Sequence, residues 1–407
     1  MAFHFEKNEP PPWVSPEDWQ SWQWQMQHSL RRLEDFAQYF DLSPEEIQGF
    51  SGLDRIFQVR TTPYYARLAA HGGRGLSQDP IRRILMPQAR ELELGTQQML
   101  DPLGERKNSP HSRIVHRYPD RVLFLLTDFC SVYCRYCTRK HFTGQDQAFV
   151  RSKDYLQALE YIAQSPGVRE VILSGGDPLT LSDAKLKGVM EDLRAIDHVE
   201  IIRIGSRIPV VNPMRMTNEL LQTLRPYHPI FMMTHFNHPR EITFEAAESL
   251  KRMVDHGFPV MNQMVLLNGV NNHPALVQAL NRRLLYLRVK PYYMFQCDPS
   301  LGTDHLRTSV EESEAIQREL WGRLSGLAMS SLSLDIPDGG GKVTLVPDFE
   351  IKEHRQPGRR AYRGWDGVEA EYVNPDPSDR QEPADAHFYL KEWEQIVTSR
   401  QKMSEKA

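Results

Sequence analysis

From about residue 120 to residue 335 the chain repeats one unit, a short apolar run followed by an amphipathic stretch, with a period of roughly 30 residues. The runs Arg121–Thr127, Arg169–Ser174, Val199–Gly205, Pro229–His235, Pro259–Leu267 and Pro291–Cys297 read as strands. The stretches Ser152–Gln164, Ser182–Ile196, Thr243–His256, Asn272–Val289 and Ser309–Leu327 read as helices. Alternation of this kind builds βαβ units and a parallel sheet, because a parallel neighbour is reached only through a crossover. Six such units form either an open doubly wound sheet or a partial (β/α) barrel. Polar motifs follow the first, second, fourth and sixth strands: a cysteine-bearing loop, Ser174-Gly-Gly-Asp177, His235-Phe-Asn-His238 and Cys297-Asp298. Collection of polar groups at the carboxyl ends of strands is what a barrel mouth requires.

Three regions result. Residues 1–100 read as mainly helical, 101–346 as the barrel, and 347–407 as an extension rich in proline and charge that suits oligomerisation. Ser43-Pro-Glu-Glu46 has the pattern of a capping box with proline at the first helical position. Trp19, Trp22 and Trp24 read as core or subunit-contact residues, and Ala386–Thr398 as a terminal helix. The net charge of −4, from 49 basic and 53 acidic residues, gives no platform for nucleic acid or an anionic membrane. No apolar run approaches the ~20 residues of a membrane span. The amino-terminal sequence lacks the order of a signal peptide.

Three of the chain's four cysteines stand in Cys130-Ser-Val-Tyr-Cys134-Arg-Tyr-Cys137, directly after the first strand. A cubane iron–sulfur cluster has four irons, so three thiolates leave one iron open to another ligand. A structural zinc site would need a fourth ligand close by. CxxxCxxC on such a loop is the signature of enzymes that bind S-adenosylmethionine (SAM) at the open iron and cleave it to a 5′-deoxyadenosyl radical. An oxygen-sensitive cluster and reduced thiolates place the protein in the cytoplasm.

A second signal is Asp335-Ile-Pro-Asp-Gly-Gly-Gly-Lys342. Consecutive glycines let backbone approach a flat or phosphorylated ligand, and the lysine projects from an unobstructed loop. A P-loop would require Ser or Thr after the lysine, and Val343 stands there. A Schiff-base lysine for pyridoxal 5′-phosphate (PLP) needs only a primary amine beside a shaped pocket.

Taken together these motifs resemble the lysine 2,3-aminomutase family, radical SAM enzymes that also carry PLP. His116-Arg-Tyr-Pro-Asp-Arg121, Ser174–Asp177, Arg203-Ile-Gly-Ser-Arg207, His235–Pro239, Asn262-Gln263 and Tyr293–Gly302 follow in the family's order, and the similarity spans roughly residues 14–375. The resemblance implies a partial (β/α)6 TIM-like barrel. It implies that Cys130, Cys134 and Cys137 hold a [4Fe-4S] cluster. Gly175, Gly176 and Asp177 would receive the amino end of SAM, with Ser206, His235 and Gln263 beside it. Lys342 would carry PLP as a Schiff base, with Arg117 and Arg121 at its phosphate and Tyr118 against it. Arg139 would grip the substrate carboxylate.

Asp298 and Asp335 match the pair that meets the distal ammonium of lysine in lysine-acting members. A buried ammonium requires opposite charge and acceptors. Members acting on glutamate carry a cation and an amide there. The implied reaction is therefore conversion of L-lysine to β-lysine by 2,3-amino migration. Alternatives are arginine as substrate, a role in translation-factor lysine modification, a scaffold without turnover, and a SAM enzyme without PLP. Implied partners are the amino acid, a reductant protein such as flavodoxin or ferredoxin, and further copies of the chain in a homo-oligomer. The chain departs from long members in having no cysteine after Cys297, so no structural zinc is expected. It also has Asp338 where relatives usually have glycine.

Overall fold

The computed structural model describes residues 3–379, apart from 53–56, 72, 94, 96 and 145–147, together with residues 383 and 390. The terminal helix expected over Ala386–Thr398 falls, but for residue 390, outside them. Among the described residues nine strands form one sheet in sequential order. They are β1 (Ile114–Tyr118), β2 (Arg121–Thr127), β3 (Glu170–Gly175), β4 (Ile201–Gly205), β5 (Ile230–Thr234), β6 (Val260–Leu266), β7 (Lys290–Gln296), β8 (Ser331–Ile336) and β9 (Gly341–Thr344). Every neighbour from β2 to β8 is parallel, whereas β1–β2 and β8–β9 are antiparallel. The sheet curls into a partial barrel whose first and last strands are unpaired with each other.

Six crossovers therefore join seven parallel strands, one strand more than the apolar runs indicate. β8 reads Ser-Leu-Ser-Leu-Asp-Ile, too short and too polar to stand out. It is held by ladders to β7 on one side and β9 on the other. The β4–β5 crossover was also silent in the sequence, since Pro209 and Pro213 break it into Ile208–Val211, a 3₁₀ turn and Asn218–Leu224. The remaining crossover helices start where side-chain caps stand. Ser152, Ser182, Thr243 and Ser309 each accept a hydrogen bond from an amide of the first turn.

Strand periodicity positions the site. Phe124, Leu173, Ile204, Met232, Met264 and Met294 point outward into the main hydrophobic core under the helices. Their alternates Leu123, Ile172, Arg203, Met233, Gln263 and Tyr293 point inward and line a cavity. The barrel interior thus carries a mix of aliphatic, polar and aromatic groups around open space, not the packed layers of a filled barrel.

The segment before β1 braces this core. Trp19 is buried, as expected, and Trp22 lies under the Arg215 guanidinium at 4.5 Å. The capping box at Ser43 and Glu46 forms, and Glu46 also forks Arg82 (2.6 Å) with both side chains fully buried. No described helix is long and apolar enough to cross a membrane. Past β9, β10 (Arg359–Arg363) and β11 (Glu369–Val373) form a separate antiparallel hairpin.

Candidate active site

The cysteine loop leaves β2 and is fixed from outside the barrel. Arg135, between two of the cysteines, is buried and donates to Glu91 (2.5 Å) and to the carbonyls of Phe57 and Gln58. Tyr133 N donates to Arg60 O (3.0 Å) and Arg135 N to Ile84 O (2.9 Å). Removing one partner of such a buried ion pair costs about 3–5 kcal/mol because the other charge is left buried and unpaired, so the loop depends on both residues. Cys130, Cys134 and Cys137 are free thiols facing one cavity of about 280 Å³. Burial, then repulsion from Cys134, pushes the Cys137 thiol up to about 11. Adjacent thiolates are stable there only with a cationic partner. No three His, Cys, Asp or Glu among the described residues gather closely enough for a single metal ion. Three thiols lining one cavity would leave one iron of a four-iron cluster without a protein ligand.

The turn after β3 runs directly against this loop. Gly176 N donates to Thr127 O (2.5 Å) and Asp177 N to Phe129 O (2.8 Å). A Cβ on Gly175, whose φ is +116°, would lie 2.2 Å from Thr127 O, and one on Gly176 would lie 2.3 Å from Phe129 O. Backbone is what each would strike, so neither can yield cheaply. Gly176→Ala is expected to lower stability by roughly 1–3 kcal/mol, read as the urea midpoint, and to reduce bound iron by displacing the loop.

Asp177 is buried and accepts from Ser206 Oγ (2.7 Å), Arg207 N (2.7 Å), Leu179 N (3.1 Å) and Ile208 N (3.2 Å). Burial raises its carboxyl, against the lowering effect of these donors. The carboxylate and the Ser206 hydroxyl are thus engaged with each other, tying the β3 and β4 turns together. Arg207, quoted within a motif but given no role from sequence, donates to Cys134 Sγ (2.7 Å), Tyr65 Oη (2.8 Å) and Glu241 Oε1 (2.7 Å). It sets a buried positive charge beside one cysteine. His235 and Gln263 line the same space, and burial, then the charges of Arg207 and Arg139, lowers His235 to about 4. His235 is therefore neutral at physiological pH.

A second lobe of about 390 Å³ shares Arg139, Ser174, Gly205, His235, Gln263 and Lys342 with the first. Arg117, Tyr118, Arg121, Arg203, Tyr292 and Tyr293 complete its wall. The Arg121 guanidinium lies 3.9 Å above the Tyr118 ring. Tyr118 Oη accepts from Lys342 N (3.0 Å), bridging β1 to β9 across the open side of the barrel. The Nε of Arg117 is buried without a hydrogen-bond partner, which leaves one donor of this guanidinium open to a ligand. The glycine run presents Lys342 on β9, directly opposite Asp335 on β8. Lys342 Nζ lies 3.2 and 3.1 Å from the two Asp335 oxygens and 5.0 Å over the Phe295 ring. Arg117 Nη1 is 3.6 Å from the same carboxylate.

Asp298, after β7, lines the cavity with Asp335 and Lys342. Burial, then the Asp335 charge, raises its carboxyl to about 7 against the pull of Lys342 and Arg117. Arg139 reaches the cavity from the cysteine loop and is forked by Glu105 (2.8 and 2.9 Å), a residue with no signal in the sequence. Asp338, at φ +59°, carries the turn that precedes the lysine and pairs with Lys107 (2.8 Å).

The sequence matches the Radical SAM superfamily over residues 124–277 and the lysine-2,3-aminomutase family over 317–404. An L-lysine 2,3-aminomutase of Fusobacterium nucleatum is 44% identical over 367 residues, covering 90% of this chain and 85% of its own. The chain belongs to the lysine 2,3-aminomutase family. It is thus a radical SAM isomerase, an α/β partial barrel whose family binds SAM and a [4Fe-4S] cluster and acts on an amino acid. A glutamate 2,3-aminomutase of Clostridioides difficile is 36% identical over 337 residues, covering 83% of this chain and 79% of its own. A radical SAM methyltransferase of Sphaerobacter thermophilus superposes with a TM-score of 0.41 at 17% identity, over 54% of this chain and 68% of its own.

Proposed function

We propose that this isomerase converts L-lysine to β-lysine with PLP as a second cofactor, moving the amino group from C2 to C3. The observation that carries the reading is a pair of carboxylates, Asp298 and Asp335, lining one cavity with Lys342, whose primary amine pairs with Asp335. The Lys342 ammonium occupies the place on Asp335 that the distal ammonium of a diamino acid would take. When that amine is spent on PLP the acid pair is left for the substrate. A glutamate side chain would meet two carboxylates and be repelled.

When bound, the cluster and SAM supply a hydrogen-abstracting radical, and PLP supplies a group on which the migrating nitrogen is carried. Everything else is placement by the chain. Cys130, Cys134 and Cys137 hold the cluster. The backbone of Gly175 and Gly176 receives the amino end of SAM, with Asp177 and Ser206 bracing that turn and His235 and Gln263 lining it. Arg117 and Arg121 hold the PLP phosphate and Tyr118 lies against the cofactor. Arg139 takes the substrate carboxylate, and Asp298 with Asp335 takes its far end. Fixing both ends of the amino acid would limit the positions its β carbon can take, and the cavity walls would keep water away from it. A low-potential protein such as flavodoxin or ferredoxin delivers the electron.

Anaerobic incubation with SAM, PLP, a chemical reductant and lysine, arginine or glutamate separately tests this. Mass-neutral conversion of lysine is the expected result, and conversion of glutamate alone would overturn it. Arginine, whose guanidinium also suits two carboxylates, is the alternative substrate, and its conversion in place of lysine would also overturn the reading.

The acid pair also predicts a pH dependence. Against burial and the Asp335 charge, the Lys342 ammonium lowers the Asp298 carboxyl. Once PLP takes that amine, the arriving substrate ammonium supplies the same pull, so the titration point of Asp298 falls on binding. Lysine binding therefore releases a proton where Asp298 is protonated beforehand, and affinity drops as pH falls because a neutral carboxyl cannot pair. Calorimetry in two buffers of different ionisation enthalpy measures the released proton. Lysine affinity constant from pH 8 to pH 6 would contradict it.

A further inference from the structure

We propose that Glu105 is a positioning residue that fixes Arg139 in the orientation from which it holds the substrate carboxylate. The proposal rests on the role given to Arg139 above. A guanidinium has two forks, one side-on through Nε and Nη2 and one end-on through Nη1 and Nη2. Glu105 fills the side-on fork: Nε donates to both its oxygens at 2.9 Å, and Nη2 donates to Oε1 at 2.8 Å. Nη1 gives one hydrogen to Ser174 Oγ at 2.8 Å. One hydrogen on each terminal nitrogen remains without a partner among these contacts, so Arg139 keeps donors on both Nη1 and Nη2 for a substrate carboxylate.

Glu105 itself is fixed rather than free. Its side chain is 7% exposed. Its amide donates to Asp101 Oδ1 (3.0 Å) and its carbonyl accepts from Ser109 Oγ (2.6 Å). It lies between the inner cavity and an outer groove lined by His111 and His141, so its carboxylate forms part of the site's wall.

The segment bearing it also contacts the lysine turn. Pro102 O accepts from Asp338 N (2.9 Å), and a Cβ on Gly104 would lie 2.9 Å from the Asp338 carbonyl carbon. Leu103 O accepts from Arg117. One short segment therefore sets the spacing between the arginine at one end of the amino acid and Lys342. The Glu105 charge also offsets that of Arg139, so capture of the substrate carboxylate depends on direction more than on net charge. Asp338 and Lys107 then form a clasp on the outside of the same contact, which gives the departure from glycine at position 338 a structural role.

The test uses holoenzyme carrying iron and PLP, without reductant, so that no turnover occurs. Binding of L-lysine and of pentane-1,5-diamine, which lacks the carboxylate, is measured calorimetrically for the wild type, Glu105→Gln, Glu105→Asp and Arg139→Gln. Glu105→Gln is expected to weaken lysine about tenfold or more while leaving the diamine within about twofold. Glu105→Asp keeps the charge but withdraws it from the fork, and the same selective loss is expected should the glutamine variant not fold. Equal weakening of both ligands means a general structural role and overturns the proposal. Unchanged or tighter lysine binding in the Glu105 variants also overturns it, the latter making Glu105 a competitor of the substrate. If Arg139→Gln binds lysine as the wild type does, the role of Arg139 has failed first. If only the Glu105 variants are silent, the positioning role alone fails.

Discussion

Lys342→Ala is expected to abolish conversion of lysine, by about 10³-fold or more, even with PLP supplied in excess. The amine is unique in its setting: it faces both lobes of the cavity, 3.1 Å from Asp335 and over the Phe295 ring. Among the described residues no other lysine lines either lobe. The iron site should survive, because the cysteine loop is clamped by Arg135, Glu91 and the 57–60 segment, none of which bonds to Lys342. Iron content equal to wild type, with loss of the visible band near ~420 nm that a PLP Schiff base gives, is the expected signature. Wild-type turnover with that band retained would assign the PLP amine elsewhere.

Asp335→Asn should be the second most damaging change. Asp335 is buried and faces Lys342 and Arg117, and it raises the Asp298 carboxyl. Losing its charge leaves a substrate ammonium with half its counter-charge in a dry site. Breaking a buried pair in this way costs about 3 kcal/mol or more, roughly 10²-fold in kcat/KM for lysine. Asp298 should at the same time become easier to ionise, since the neighbouring charge that opposes it has gone. The pH below which lysine binding weakens should therefore move down relative to wild type, because, after burial, the Asp335 charge is what raises the Asp298 carboxyl. A variant with wild-type kcat/KM would exclude Asp335 from the ammonium site.

Local chemistry was readable in the sequence wherever a short run carries it. Cys130, Cys134 and Cys137 share one loop, and Gly175-Gly176-Asp177 and the run ending at Lys342 each occupy one turn. The strands β2 to β7 were readable because their inward and outward faces are both apolar enough to mark a run. β8 was not, since only its ladders to β7 and β9 make it a strand. Glu105 and Arg207 were beyond reach for a related reason. A glutamate is ordinarily a surface residue, and only the folded chain shows Glu105 filling the fork of Arg139. Arg207 stood in a quoted motif, yet its contacts with Cys134, Tyr65 and Glu241 join four separate segments. The engagement of Asp177 by four protein donors is of the same kind: the carboxylate was legible, its occupancy was not.

The open seam of the barrel has one further consequence. β1 and β9 share no ladder, and the hydrogen bond from Lys342 N to Tyr118 Oη spans the gap. The groups assigned to PLP thus sit on both lips, Arg117 and Tyr118 on one and Lys342 on the other. A ligand bonded to both lips would act as a rivet, making the prosthetic group a structural member of the wall it sits in.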